Sequence, residues 1–181
     1  VTSKKNKDNL TESSNRKQKY TLSILVTNES GVLTRIAALF GRRNYNIESL
    51  AVGQSEKKGL SRMTVVSLAD QDEIEQIKKQ LEKLIDIVSV ENLNQLSFVD
   101  REMLLIRIKA NSQNRTEISQ IIDLFRARIV DVALESLIIE VTGDQGKLNA
   151  ILDLLQNFGV ESICRTGQIA LPRGPKNDQR N

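Results

Sequence analysis

The stretch NESGVLTRIAALFGRRNYNIESL, residues 28–50, decides how this chain is read. Polar residues and one glycine, Gly31, end an apolar run. Leu33, Ile36, Ala37 and Phe40 then recur at i, i+3, i+4 and i+7, the spacing of one helix face. A second polar break, Asn44 to Asn46, closes the helix before apolar residues resume at Ile47. Upstream, YTLSILVT (20–27) is rich in β-formers, and downstream 47–54 reads as another strand. The result is strand, loop, helix, loop, strand, with Asn28 and Asn46 at the helix's two exits.

Working outward, EKKG (56–59) reads as a turn and 61–68 as a strand with Met63 and Val65 on one face. Asp70 and Glu73 have the spacing of a capping box. Ile74, Ile77, Leu81 and Leu84 then follow at helical spacing, and 87–93 is a fourth strand. The order is β-α-β-β-α-β, the split βαβ or ferredoxin-like arrangement, with two helices on one face of a four-stranded antiparallel sheet. The second half repeats it. Strand 103–110 precedes a helix face of Ile118, Ile121, Ile122 and Phe125. A hairpin of 129–134 and 137–142 precedes a second face of Leu148, Ile151, Leu152 and Leu155, and 160–171 closes as a strand or long hairpin. The predicted fold class is α+β, with two ferredoxin-like βαββαβ units in tandem over 20–95 and 96–171. The second face of each sheet needs a cover. Residues 1–19 and 172–181 are polar and are predicted to be disordered tails, because they cannot bury enough apolar surface to offset ordering entropy.

Charge and composition exclude several functions. The net charge of +3 is carried by the tails: residues 1–19 hold +4 and 172–181 hold +2, which leaves 20–171 at −3. A nucleic-acid reader carries its basic patch on the fold itself. An RNA-recognition unit of this topology also needs aromatic residues on its central strands, and LSILVT and SRMTVVSL contain none. No apolar run approaches the ~20 residues of a membrane span, and no signal-peptide pattern opens the sequence. The 181 residues contain no histidine, the commonest general base and metal ligand. Asp70, Asp72, Glu73 and Glu75 suit the positive end of a helix dipole better than a metal site. GDQGK (143–147) lacks the spacing of a phosphate loop and reads as a strand-to-helix turn. The single cysteine, Cys164, is expected to be a buried structural thiol. No nucleophile with a helper is found, so no catalytic residue and no metal ligand is assigned.

A binding site is a different matter. The loop Asn28-Glu29-Ser30-Gly31 would present free backbone N–H groups at a helix N-terminus, which favours a carboxylate. Gly31 permits close approach. Asn28 and Asn46 each offer a side-chain carbonyl to an ammonium group. Val32, Leu33 and Ile47 supply a small apolar lining, so an amino acid with a short branched side chain matches all three features. The same residue types also serve as plain caps, with Asn28 or Ser30 as N-cap and Asn44 or Asn46 in the left-handed C-terminal position.

Read whole, residues 28–50, the following LSRMTVV (60–66) and the second-half string FRARIVDVALESLIIEVTG (125–143) closely resemble the regulatory (small) subunit family of acetolactate synthase, also called acetohydroxyacid synthase. The resemblance spans residues 20–171. It implies an N-terminal ACT domain, the ligand-binding βαββαβ module, followed by a related second domain. It implies a non-catalytic chain that activates the catalytic (large) subunit and confers feedback inhibition by valine in branched-chain amino acid (valine, isoleucine, leucine) biosynthesis. Thiamine diphosphate, Mg and FAD are then expected only in that partner, and no cofactor in this chain. The effector residues carry over as Asn28, Gly31 and Asn46, with Glu29, Ser30 and Val32 of the loop adjoining and Ile47 joining them from the apolar lining, and with Asn28 and Gly31 of one chain facing Asn46 of its neighbour in a homodimer formed through the ACT domains. A bacterial cytoplasm or a plastid stroma is the implied location, with no nucleic acid and no membrane as partner. Many family members have glycine at Asn44, and the second-half loop KANSQNRT (109–116) has no glycine, so no matching site is expected there. The alternative is a free-standing ACT-type amino-acid sensor controlling another enzyme or a transcription or transport system.

Overall fold

The computed structural model describes residues 17–174. The first half runs β1 (Gln18–Thr27), α1 (Val32–Arg42), β2 (Ile47–Gln54), β3 (Leu60–Ala69), α2 (Gln71–Leu81) and β4 (Ile87–Asn92). The second runs β5 (Phe98–Lys109), α3 (Arg115–Leu124), β6 (Arg128–Val132), β7 (Ser136–Gly143), α4 (Gln145–Leu155), β8 (Val160–Arg165) and β9 (Ile169–Pro172). The sheet orders are β2-β3-β1-β4 and β6-β7-β5-β8, with β9 paired to β5 off that path. All the strand pairs whose register is given are antiparallel. These are two ferredoxin-like βαββαβ units in tandem.

Each unit has its own core. In the first, Leu22, Ile24 and Val26 of β1 and Met63 and Val65 of β3 meet Ile36 and Phe40 of α1 and Ile74, Ile77 and Leu81 of α2. In the second, Leu104, Ile106 and Ile108 of β5 meet Ile118 and Ile122 of α3 and Leu148, Ile151 and Leu155 of α4. Each such fully buried aliphatic side chain stabilises the fold by roughly 1.5–3 kcal/mol of transfer free energy. The α1 face differs from the predicted one. Val32, Ile36, Leu39 and Phe40 are buried, while Leu33 stays 47% exposed and Ala37 is exposed. Both sets obey the helical period, and the direction from which the sheet approaches selects between them. The capping box at α2 forms as predicted: Asp70 accepts from the Glu73 amide at 2.8 Å, and Glu73 accepts from the Asp70 amide at 3.0 Å.

The unit boundaries differ from the expected ones. The first unit takes the described residues up to Val99 together with those from Ala170, and the second is Asp100–Ile169. Ala170 and Leu171, expected in the second unit, therefore sit with the first. The Ala170 amide donates to Thr64 Oγ1 at 3.3 Å, and the Arg173 amide to the Ser97 carbonyl at 2.8 Å. Thr64 belongs to the sheet face turned away from the helices, where Thr21, Ser23 and Val66 are buried as well. The tail boundaries also move. Gln18 and Lys19 already pair with Ala69 and Leu68, and Pro172 lies in β9. The rest of the two predicted tails, 1–16 and 175–181, lies outside the described residues. Cys164 is exposed rather than buried. It sits on β8, an edge strand whose residues 161–165 are all exposed. Among the described residues no helix is long and apolar enough to cross a membrane.

Candidate functional site

The turn between β1 and α1 is anchored just before it begins. The Thr27 amide donates to the Asp86 carbonyl at 2.9 Å and the Asn28 amide to the Gly59 carbonyl at 2.8 Å. Gly31 is the N-cap residue at φ 87°, in the left-handed region that glycine enters without steric cost. The first helical hydrogen bond runs from the Arg35 amide to the Gly31 carbonyl at 3.0 Å. Between these anchors, among the described residues, no acceptor meets the six amides of Glu29 through Thr34 in good hydrogen-bond geometry, and Ser30 and Gly31 form only a loose turn. Residues 28–31 are exposed, while Val32 is buried and seats the start of the helix on the core. Unclaimed N–H groups at the positive end of a helix form a receptor for a carboxylate. The plain-cap alternative fails at this end. Neither Asn28 nor Ser30 caps α1, because Gly31 occupies the N-cap position and no side-chain cap forms among the described residues.

At the other end of α1 the cap reading holds for one asparagine. Asn44, at φ 57°, is the left-handed residue. Its amide reaches the Gly41 carbonyl at 3.1 Å and the Tyr45 amide reaches Phe40 at 3.0 Å, the paired bonds of a Schellman motif. Asn46 is not part of that cap. It is exposed, its side-chain Nδ2 donates to Glu48 Oε1 at 2.8 Å, and its backbone carbonyl accepts from Ser67 Oγ at 2.7 Å.

One chain does not bring the candidate residues together. Asn28, Glu29, Ser30, Gly31 and Val32 follow the end of β1, where Thr27 pairs with Leu60. Asn46 and Ile47 lie beside Ser67, which pairs with Tyr20 at the opposite end of the same strand. The interval Tyr20 to Thr27 spans about 23 Å at ~3.3 Å per residue. β2, which carries Asn46 and Ile47 at its start, is an edge strand of the sheet.

The sequence reading missed Arg35 and Asp86. Asp86 is nearly buried and accepts from Arg35 Nε at 2.6 Å and Nη2 at 2.8 Å. The hydrogen bond to Asp86 raises the guanidinium pKa above its ordinary value. Desolvation opposes this, and the charges of Asp86 and Glu29 add to it. No local motif could have shown this pair, because its members are 51 residues apart.

The equivalent turn in the second unit is closed by its own side chains. Asn111 Oδ1 accepts from the amides of Gln113 and Asn114 at 2.9 and 3.2 Å, and Asn114 Oδ1 accepts from the Asn111 amide at 2.8 Å. Arg115 Nη2 donates to the carbonyls of Ala110, Ala133 and Leu134. GDQGK is a strand-to-helix turn, with Asp144 capping the Lys147 amide at 2.9 Å and Lys147 Nζ donating to the Thr142 carbonyl at 2.8 Å. Among the described residues no group of three or more His, Cys, Asp or Glu could hold a metal ion.

Known proteins match both halves. Residues 22–89 match the family model of the acetohydroxyacid synthase small subunit-like ACT domain, and residues 101–174 match that of the small subunit of acetolactate synthase. The probable acetolactate synthase small subunit of Archaeoglobus fulgidus is 49% identical over 87% of this chain and 99% of its own length. The acetolactate synthase small subunit of Mycobacterium leprae is 47% identical over 87% of this chain and 93% of its own. The crystal structure of the Thermotoga maritima acetolactate synthase small subunit superimposes with a TM-score of 0.81 at 41% identity, over 88% of this chain and 99% of that one. With both units matched and identity this high over nearly the full length of these relatives, the chain belongs to the acetolactate synthase small-subunit family.

Proposed function

We propose that this chain is the non-catalytic regulatory subunit of acetolactate synthase, and that it activates the catalytic subunit and confers feedback inhibition by valine in branched-chain amino acid biosynthesis. The observation that carries the effector part of this reading is the run of six amides, from Glu29 to Thr34 around the Gly31 turn, that meet no acceptor in good hydrogen-bond geometry among the described residues. The carboxylate of valine seats on those amides, and its isopropyl group lies against Val32 and the neighbouring apolar side chains. Its ammonium group is met by the side-chain carbonyls of Asn28 and of Asn46. Because Asn46 and Ile47 stand at the far end of their own sheet, they come from a second copy, so the effector site is a property of a homodimer paired through the first units. The thiamine diphosphate, Mg and FAD of the reaction belong to the catalytic partner, in a bacterial cytoplasm or a plastid stroma.

Regulation follows if the dimer has two arrangements that bind valine with different affinity. A coupling of ~1–3 kcal/mol yields five- to 150-fold effects. Discrimination among valine, leucine and isoleucine is limited, since one methylene in an apolar pocket is worth ~1–3 kcal/mol. Calorimetric titration with each branched-chain amino acid tests the site. Asn28→Ala and Gly31→Asp each weaken valine binding tenfold or more while the circular dichroism spectrum is retained. The asparagine loses a polar contact, whereas the aspartate brings a negative charge and a strained left-handed backbone. Unchanged valine affinity in both variants would place the site elsewhere. Co-purification with the catalytic subunit separates this function from that of a free-standing sensor.

A further inference from the structure

Nothing in the β1–α1 turn holds its own amides in place, since among the described residues no side chain caps it. Gly59 takes the Asn28 amide at the start of the turn, and Asp86 grips both its flanks. Through its backbone carbonyl Asp86 takes the amide of Thr27, where the strand ends. Through its carboxylate it takes two N–H groups of Arg35, on the first turn of the helix. Two N–H···O bonds to one carboxylate fix the plane of a guanidinium in a way that a single bond does not. Arg35 in turn reaches back to the loop. Its Nη1 lies 3.1 Å from the point that a Cβ on Gly31 would occupy, and the charge of Glu29 acts on it as well. The guanidinium thus lies against the Gly31 turn.

We propose that Asp86 is a positioning residue of the effector site: by locking Arg35 it holds the β1–α1 turn in the shape that receives the carboxylate of an α-amino acid. The inference rests on the effector reading above and adds a specific cause for the loop's readiness. A receptor already in its bound shape spends less of its interaction energy on ordering. Asp86 touches no ligand and acts through Arg35.

The test is calorimetry on the full chain with valine as probe and with valinamide, which lacks the carboxylate charge. Asp86→Asn and Arg35→Gln each raise the valine Kd five- to tenfold. The double variant is no weaker than the weaker single one, because both remove the same pair. The preference for valine over valinamide shrinks in parallel. Arg35, whose side chain is 46% exposed, supplies the variant that folds if Asp86→Asn does not. Glu102→Gln is the control. It breaks the Arg165–Glu102 pair of the second unit, 3.1 Å long with a carboxylate 11% exposed, and it lowers the melting temperature while leaving the valine Kd unchanged. A pair that only stabilised the fold would behave like that control, and unchanged Kd and unchanged preference in Arg35→Gln overturn the proposal while the effector reading stands. A wild-type chain that binds no branched-chain amino acid overturns both.

Discussion

The turns after β1 and after β5 hold the same place in two copies of one topology, yet their amides end differently. In the first unit Gly31 sets the helix start, and past the Asn28 amide, which Gly59 takes, the amides of Glu29 to Thr34 have no acceptor in hydrogen-bond geometry among the described residues. In the second, Asn111 takes the amides of Gln113 and Asn114, Asn114 takes that of Asn111, and Arg115 gathers the Ala110 carbonyl together with those of Ala133 and Leu134 in the neighbouring hairpin. The sheets differ in the same sense. The outer face of the first is buried at Thr21, Ser23, Thr64 and Val66, while that of the second leaves Leu105, Arg107 and Cys164 exposed. One scaffold thus carries an open turn above a covered sheet and a closed turn above an open one. A ligand site needs polar groups left over after folding, and among the described residues the first turn leaves more of them than the second.

The strongest test of this contrast is whether each half stands on its own core. Ile24→Ala and Ile106→Ala each remove a fully buried aliphatic side chain and should cost about 2–5 kcal/mol, read by urea unfolding. If the site belongs to the first unit alone, Ile106→Ala leaves the valine affinity of the folded protein at its wild-type value. Loss of binding there, with the first unit still folded, would break the assignment.

A smaller effect sharpens the difference between the turns. Asn111→Ala strips two amides of their acceptor and should cost about 1 kcal/mol by thermal unfolding, with no change in valine binding. Asn28→Ala should do the reverse: its side chain caps nothing, so stability stays within about 0.5 kcal/mol while binding falls. Equal stability losses at the two positions would mean that the first turn is held by its asparagine after all.

The smallest effect concerns the hairpins. Between β2 and β3 the Glu56 carboxylate is held below its ordinary value, first by a backbone hydrogen bond and then by Arg62, with desolvation opposing. A carboxylate with a depressed folded-state pKa contributes stability above the ordinary carboxylate range and loses it as pH falls through the folded value. Glu56→Gln should therefore lower the melting temperature near neutral pH by about 1 °C or less, since the side chain is 64% exposed, and the difference should vanish in acid. A difference that persists at low pH would trace to something other than this charge. In the second unit Arg115 covers the carbonyls of Ala133 and Leu134 at the corresponding hairpin, so that turn is closed without a carboxylate.

Much of this molecule was legible in order along the chain. The strand over 61–68, the helical spacing from Ile74 to Leu81 and the Asp70–Glu73 box each report a local geometry, and each recurs in the structure, although that strand is buried on both faces rather than one. Gly31 was legible for the same reason, because a left-handed turn needs a residue without a Cβ. Where two local answers satisfied one rule, the sequence could not choose. The α1 face turned from Leu33 and Ala37 to Val32 and Leu39, and of two asparagines it was Asn44 that took the left-handed position. Cys164 read as buried because its neighbours are apolar, but burial depends on what lies above a strand, and β8 is an edge.

The sequence by itself determined the element order, the duplication, the two apolar cores and the loop with glycine at its centre, all of which follow from backbone periods and sterics acting over a few residues. Only the tertiary structure decided that the loop's amides meet no well-placed acceptor among the described residues, that Asn46 stands a strand's length from Asn28, that Asp86 grips Arg35 and that the described chain from Ala170 returns to the first unit. These are relations between residues tens of positions apart, set by how sheets and helices dock, and no pattern within a short window encodes them.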